Sequence, residues 1–151
     1  MINAPIERCF DLARSIDFHL HTAQSEHELA IDGIKSGLIS EGEEVEWQAT
    51  HFLLRLKMRV RITAFLPPTF FQDSMVQGPF HSFRHSHTFK WTGTETIMTD
   101  EVAVRCPFPR LVIENLVGEH LARFINRRNL HLKTALESDI WRAFLPNSPT
   151  H

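Results

Sequence analysis

The spacing of apolar positions changes twice along the chain, and each change marks a change of element. Residues 1–3 read as the tail of a strand. Pro5 then sits where a helix tolerates it best, in the first turn, with φ already fixed and no donor to lose. Ile6, Cys9, Phe10 and Ala13 recur at i, i+3, i+4 and i+7, which leaves Glu7, Arg8, Asp11 and Arg14 on the wet side. Ile16–Thr22 predicts a second short helix, weakened by its His and Thr residues. Gly33 and Gly37 punctuate the stretch between that helix and Glu43.

From Glu43 the period is two. Val45, Trp47, Ala49 and His51 alternate with Glu44, Glu46, Gln48 and Thr50, the pattern of a half-buried strand. Met58, Val60, Ile62 and Ala64 oppose Lys57, Arg59, Arg61 and Thr63 in the same way, up to Pro67-Pro68, which cannot continue a ladder. Further strands are predicted over 70–76, 80–91 and 95–105. Gly78-Pro79 and Thr92-Gly93 make the connections short, which favours an antiparallel meander over parallel βαβ units. Pro107 and Pro109 close the sheet.

The period returns to that of a helix for the last long stretch. Leu116, Val117, Leu121, Phe124, Ile125, Leu132 and Leu136 form one stripe, with Glu119, Arg123, Arg127 and Lys133 largely outside it. Ile140, Trp141, Phe144 and Leu145 extend the stripe before Pro146 and a polar tail expected to fray. The fold class is therefore α+β: a curved antiparallel sheet around a long C-terminal helix, with two short helices near the N-terminus.

Length and composition narrow this without redirecting it. A chain of 151 residues suits one domain. Lys plus Arg number 16 and Asp plus Glu 18, with no block of like charge, which argues against a nucleic-acid partner. The densest basic run, Arg123 with Arg127 and Arg128, shares its helix with Glu119 and Glu137 and reads as a solvated face with no assigned function. Cys9 and Cys106 form neither a CxxC pair nor a disulfide framework, which fits a reducing compartment, the cytoplasm by default. No stretch approaches a membrane span and no secretion signal opens the chain. Twelve Phe and three Trp stand against no Tyr, so the rings supply apolar volume without hydroxyls.

Candidate chemistry concentrates in 80–91, where one face carries His81, Phe83, His85, His87, Phe89 and Trp91 and the other Ser82, Arg84, Ser86, Thr88 and Lys90. In the next strand Met98, Asp100, Val102 and Val104 share a face, and an inward carboxylate needs a donor, for which a cross-strand His is the natural partner. Asp73, between Phe71 and Met75 on its face, is a second acid within reach. Three readings fit these residues: a satisfied polar network inside the sheet, the polar end of a small-molecule cavity, or a metal site in which His85 and His87, at i and i+2, chelate with a carboxylate. GxGxxG, P-loop, HExxH and GxSxG patterns are absent. No cofactor or metal is expected as the default. His19, His21, His27, His120 and His131 read as surface residues, and His51 as a core histidine.

The whole resembles the START and Bet v 1-like superfamily, also called SRPBCC, and within it bacterial polyketide cyclase/dehydrase-like or CoxG-like ligand-binding proteins. Ile2-Asn3-Ala4-Pro5-Ile6-Glu7 running into Phe10 resembles the opening strand-to-helix turn. Gly78-Pro79-Phe80 followed by Phe83, His85, His87 and Phe89, with Met98 and Asp100 beyond, resembles the central strands, and 107–136 the closing loop and long helix. The resemblance implies a helix-grip fold in the order β-α-α-β-β-β-β-β-β-α: one START-like ligand-binding domain over 1–145 with its first strand truncated, then a flexible tail, 146–151. A strand edge thinned in this way is expected to be covered by a second copy of the chain, as a homodimer, if the start is complete.

Fold membership of this kind does not assign chemistry. The leading expectation is a non-catalytic binder of a hydrophobic or amphipathic small molecule, such as a lipid, polyketide or aromatic, held between sheet and helix. Trp47, Met58, Val60, Phe71, Asp73, Met75, Phe83, His85, His87, Phe89, Met98, Asp100, Leu121 and Phe124 are the expected ligand-binding residues. The alternative is a cyclase or dehydratase-like enzyme in which His87 or His85 pairs with Asp100 as acid and base. A third is an interaction module that engages another protein.

Overall fold

The computed structural model describes residues 1–24, 27–51, 54–107 and 113–145. Two short helices, α1 (Ile6–Ala13) and α2 (Ile16–Thr22), precede six strands: β1 (Leu29–Gly33), β2 (Glu44–His51), β3 (Leu54–Leu66), β4 (Phe70–Gln77), β5 (Ser82–Trp91) and β6 (Thr96–Arg105). A long helix, α3 (Ile113–Leu136), and a single 3-10 turn at Ile140–Ala143 complete the order. The strands form one curved antiparallel sheet in sequence order, β1 to β6. This is the helix-grip α+β architecture expected from the sequence.

Each boundary has a local cause. Pro5 opens α1, and Ser15 separates α1 from α2 by taking an extended conformation and accepting a hydrogen bond on its Oγ from the Phe18 N–H at 3.2 Å, an N-cap. The residues before Ala4 pair as a strand stub: Ile2 and Thr96 exchange backbone hydrogen bonds of 2.9 Å, so β6 has a partner on its outer side at that point. β1 is a strand the apolar pattern did not predict. It is short, carries Asp32 and Gly33, and shifts register between Ala30 and Asp32, so no clean alternation survives. Gly33 has φ +75°, and a Cβ there would lie 2.2 Å from the Glu44 carbonyl oxygen, so only glycine fits the close approach of β1 to β2. α3 ends at Leu136 and does not run on through Ile140; Trp141 and Leu145 are buried from the 3-10 turn and the residues after it. Pro109, the tail 146–151 and the His51 side chain lie outside the described residues.

The core gathers α1, α2 and the last turns of α3 against the concave face of the sheet. Phe10 is its centre, with the rings of Phe65, Phe71 and Phe89 at 5.4, 5.5 and 5.7 Å in tilted or edge-on contact. Leu132, Ala135 and Leu136 close it from α3, whereas Leu116 is half exposed. The convex face is polar. Arg59 reaches Asp32 and Glu46 at 2.5 and 2.6 Å, and Arg61 binds Glu44, which links β1, β2 and β3 through side chains that alternate away from the core.

Candidate functional site

The register of β5 between its two neighbours builds the site. Asp73 of β4 pairs directly with His85, Phe71 with His87, and on the other side Asp100 of β6 pairs directly with His87. Because β5 and β6 run without a bulge from Ser82↔Arg105 to Trp91↔Thr96, the two imidazoles and both carboxylates reach the same concave face.

The four side chains form a ring of contacts, tighter at Asp100 than at Asp73. Asp100 Oδ1 lies 3.0 Å from His85 Nε2 and 2.5 Å from His87 Nδ1, the second outside hydrogen-bond angles despite its length. Asp73 Oδ1 is more distant, 3.4 Å from His87 Nε2 and 3.9 Å from His85 Nδ1. The imidazoles face one another with 3.9 Å between centroids, and His87 stacks on Phe71 at 4.1 Å. Asn129 of α3 donates from Nδ2 to Asp100 Oδ2 at 2.5 Å. Burial alone would raise both carboxyls. For Asp100 the bond to His85 and the close approach of His87, with the charge of Arg128, reverse this and hold it far below the usual carboxylate range. Asp73 is held low in the same way, chiefly by its bond to His87. His85 moves down: burial and the neighbouring His87 outweigh Asp100 and Asp73.

In front of this ring lies a cavity of about 230 Å³ between the sheet, α1, α2 and α3. Trp47, Met58, Val60, Phe71, Asp73, Phe83, His85, His87, Leu121 and Phe124 line it. Four residues expected there are placed elsewhere. Asp100 sits behind the imidazoles, Phe89 belongs to the core around Phe10, Met98 packs against that core, and Met75, the last residue of β4 paired before the register shift at Arg59/Val60, lies beside Gly78. His81 and Trp91, on the same face of β5 by alternation, are exposed at the strand ends.

Three lining residues depart from their expected surface positions. His19 stacks on Trp47 at 4.3 Å and bonds Glu28 at 2.9 Å, and His120 lines the cavity from α3. Arg128 is 5% exposed, not part of a solvated basic face. Its Nη2 donates to the Ala13 carbonyl oxygen at 2.5 Å, while Nε and Nη1 are buried without a partner. The signal for Arg128 was present: it continues the stripe Val117, Leu121, Phe124, Leu132 at helical spacing, so the helix that buries those residues buries it too. Its charge hid that position among the solvated cations.

No family model matches the chain, and no curated protein matches its sequence. Solved structures match the fold. TTHA0849 from Thermus thermophilus superposes with a TM-score of 0.64 at 14% identity, over 94% of this chain and 93% of that one. Ginseng major latex-like protein 151 from Panax ginseng gives 0.61 at 13%, over 89% and 91%. A START superfamily protein from Mycobacterium smegmatis gives 0.60 at 14%, over 90% and 92%. At such identities the likeness concerns architecture: the chain has the START and Bet v 1-like fold. Among the described residues no helix is long and apolar enough to cross a membrane.

Proposed function

We propose that the protein binds a small amphipathic molecule in the cavity between sheet and α3, with its apolar body against Trp47, Val60, Leu121 and Phe124 and an acceptor oxygen on Arg128. The observation that carries this reading is Arg128, which lines a largely apolar cavity and has two nitrogens buried without partners. An unsatisfied buried donor costs about 1–3 kcal/mol, and more when charged, so the site is incomplete until an acceptor arrives. Size narrows the ligand. An apolar cavity of ~150 Å³ takes benzene, so about 230 Å³ suits one or two fused rings or a short chain.

Fluorescence titration with 2-naphthoate, in the presence of a chelator, tests this. Saturable one-to-one binding is expected, and Ala49→Phe, which fills the cavity from the β2 wall, abolishes it while the circular dichroism stays native. Absence of saturable binding to the unmodified chain overturns the reading.

A second reading rests on His85 and His87, which present imidazoles to the cavity with Asp100 behind both. That arrangement suits proton transfer to or from a bound carbonyl compound, as a cyclase or dehydratase requires. A His85→Ala, His87→Ala double variant that retains full turnover on an identified substrate excludes it.

A further inference from the structure

The ring of two acids and two imidazoles is asymmetric. On the rear edge Asp100 approaches both rings at 3.0 and 2.5 Å and is itself held by Asn129. On the front edge Asp73 stands off at 3.4 and 3.9 Å. A network that serves only to satisfy buried groups is worth most when every member is paired. Here the rear is tight, the front is open, and it is the front that meets the cavity: Asp73, His85 and His87 line it and Asp100 does not.

That asymmetry matches a metal site. One donor atom from each of Asp73, His85 and His87 lies within 4.8 Å of the others. With metal–ligand bonds of ~2.1 Å, neighbouring donors in a tetrahedral site stand roughly 3.4 Å apart. The Asp73–His87 spacing of 3.4 Å already fits. The Asp73–His85 spacing must close by about half an ångström, a side-chain adjustment. An imidazole that binds a metal hands its other nitrogen to a carboxylate, which fixes the tautomer and strengthens the ligand. Asp100 stands in that position for His85, bonded at 3.0 Å, and lies 2.5 Å from Nδ1 of His87.

We propose that Asp73, His85 and His87 bind a first-row divalent cation, with Asp100 as the positioning residue and the remaining coordination positions open to the cavity. Two imidazoles and one carboxylate suit zinc, iron(II) or cobalt(II), and do not suit magnesium or calcium, which favour oxygen donors. The charges also specify what the loaded site accepts. With neutral imidazoles, the ion and Arg128 exceed the two carboxylates by one positive charge, so the open positions take an anionic oxygen: hydroxide, or the carboxylate of a ligand lying in the cavity. The inference uses the same cavity as the ligand-binding reading but does not need an organic ligand.

The test is titration of the full chain, first stripped with a chelator, with cobalt(II) alone and then zinc(II). One equivalent of cobalt(II) is expected to produce visible d–d absorption, and zinc(II) to raise the melting temperature. Asp73→Asn keeps the side-chain shape and should weaken cobalt(II) binding at least about tenfold, and Asp100→Asn by about 10–100-fold, with native circular dichroism. If Asp73→Asn does not fold, His85→Gln carries the same comparison. No d–d band and no zinc(II) shift in the unmodified chain overturns the proposal, as does cobalt(II) binding unchanged by the Asp73 and His85 variants. Naphthoate binding is measured in chelator, so a failure here leaves the cavity reading standing and the converse also holds.

Discussion

Arg128 Nη2 donates to the carbonyl oxygen of Ala13 at 2.5 Å, tying the middle of α3 to the last residue of α1 through the interior. The last four carbonyls of a helix have no intrahelical donor, so Arg128 supplies α1 with a partner it lacks. The same residue lines the cavity, and its Nε and Nη1 are buried without a partner. One side chain thus joins packing and recognition, and its charge helps hold Asp73 and Asp100 ionised.

Arg128→Met should therefore act twice. Losing a charged hydrogen bond costs about 1.5–3 kcal/mol, partly offset because two unpartnered nitrogens leave the interior, so the stability loss in a urea melt is about 1–2 kcal/mol. Naphthoate binding falls at least about tenfold, because a bond to a charged donor is worth at least ~1.5 kcal/mol. Arg128→Lys keeps the charge but not the planar fork, and recovers binding only in part. Equal binding by all three proteins would remove Arg128 from the recognition site.

Stability should fall in acid in two stages. An unfolded histidine takes its proton near pH ~6.5, and His85 in the folded protein only at lower pH. Between those values the unfolded state holds more protons, so stability is full above pH ~6.5 and declines as the pH drops through the folded value. Asp73 and Asp100 act later: their folded carboxyls are held low, so their contribution is present above pH ~3.9 and lost below it. Urea midpoints in chelator should decrease from about pH 7.5 to 5 and again below about pH 4. His85→Gln flattens the first stage. A His85→Gln profile parallel to that of the unmodified chain across the upper range would refute the assignment.

The two ends of α3 should respond differently to the same truncation. Leu132 is fully buried in the core, whereas Leu121 is half-buried at the cavity. Leu132→Ala is expected to cost about 2–5 kcal/mol. Leu121→Ala removes a wall that is already only partly packed, so it should cost under ~2 kcal/mol and admit a probe larger than 2-naphthoate. Thermal melts and titration with an anthracene carboxylate measure both effects. Equal losses for the two variants would mean that the cavity closes up in solution.

Two further residues show why some of this was legible in the sequence and some was not. His87 faces inward because strict alternation in β5 and the flanking Phe83 and Phe89 leave one orientation that buries the rings. His19 obeyed no such rule. Its role depends on Trp47, 28 positions away, stacking on it at 4.3 Å, a contact set by how α2 lies across β2.

What the chain determined by itself is whatever rests on local periodicity. That covers two short helices, five of the six strands, the long closing helix, and an inward face bearing His85, His87, Asp73 and Asp100. What tertiary structure decided is what rests on register and on the crossing of elements. A bulge-free β5–β6 ladder put Asp100 behind the imidazoles, the β4 register put Asp73 before them, and the path of α3 over α1 turned Arg128 inward. Periodicity fixes which side of an element is wet. Which distant side chain meets it there depends on long-range pairing, and a single slipped residue would reverse it.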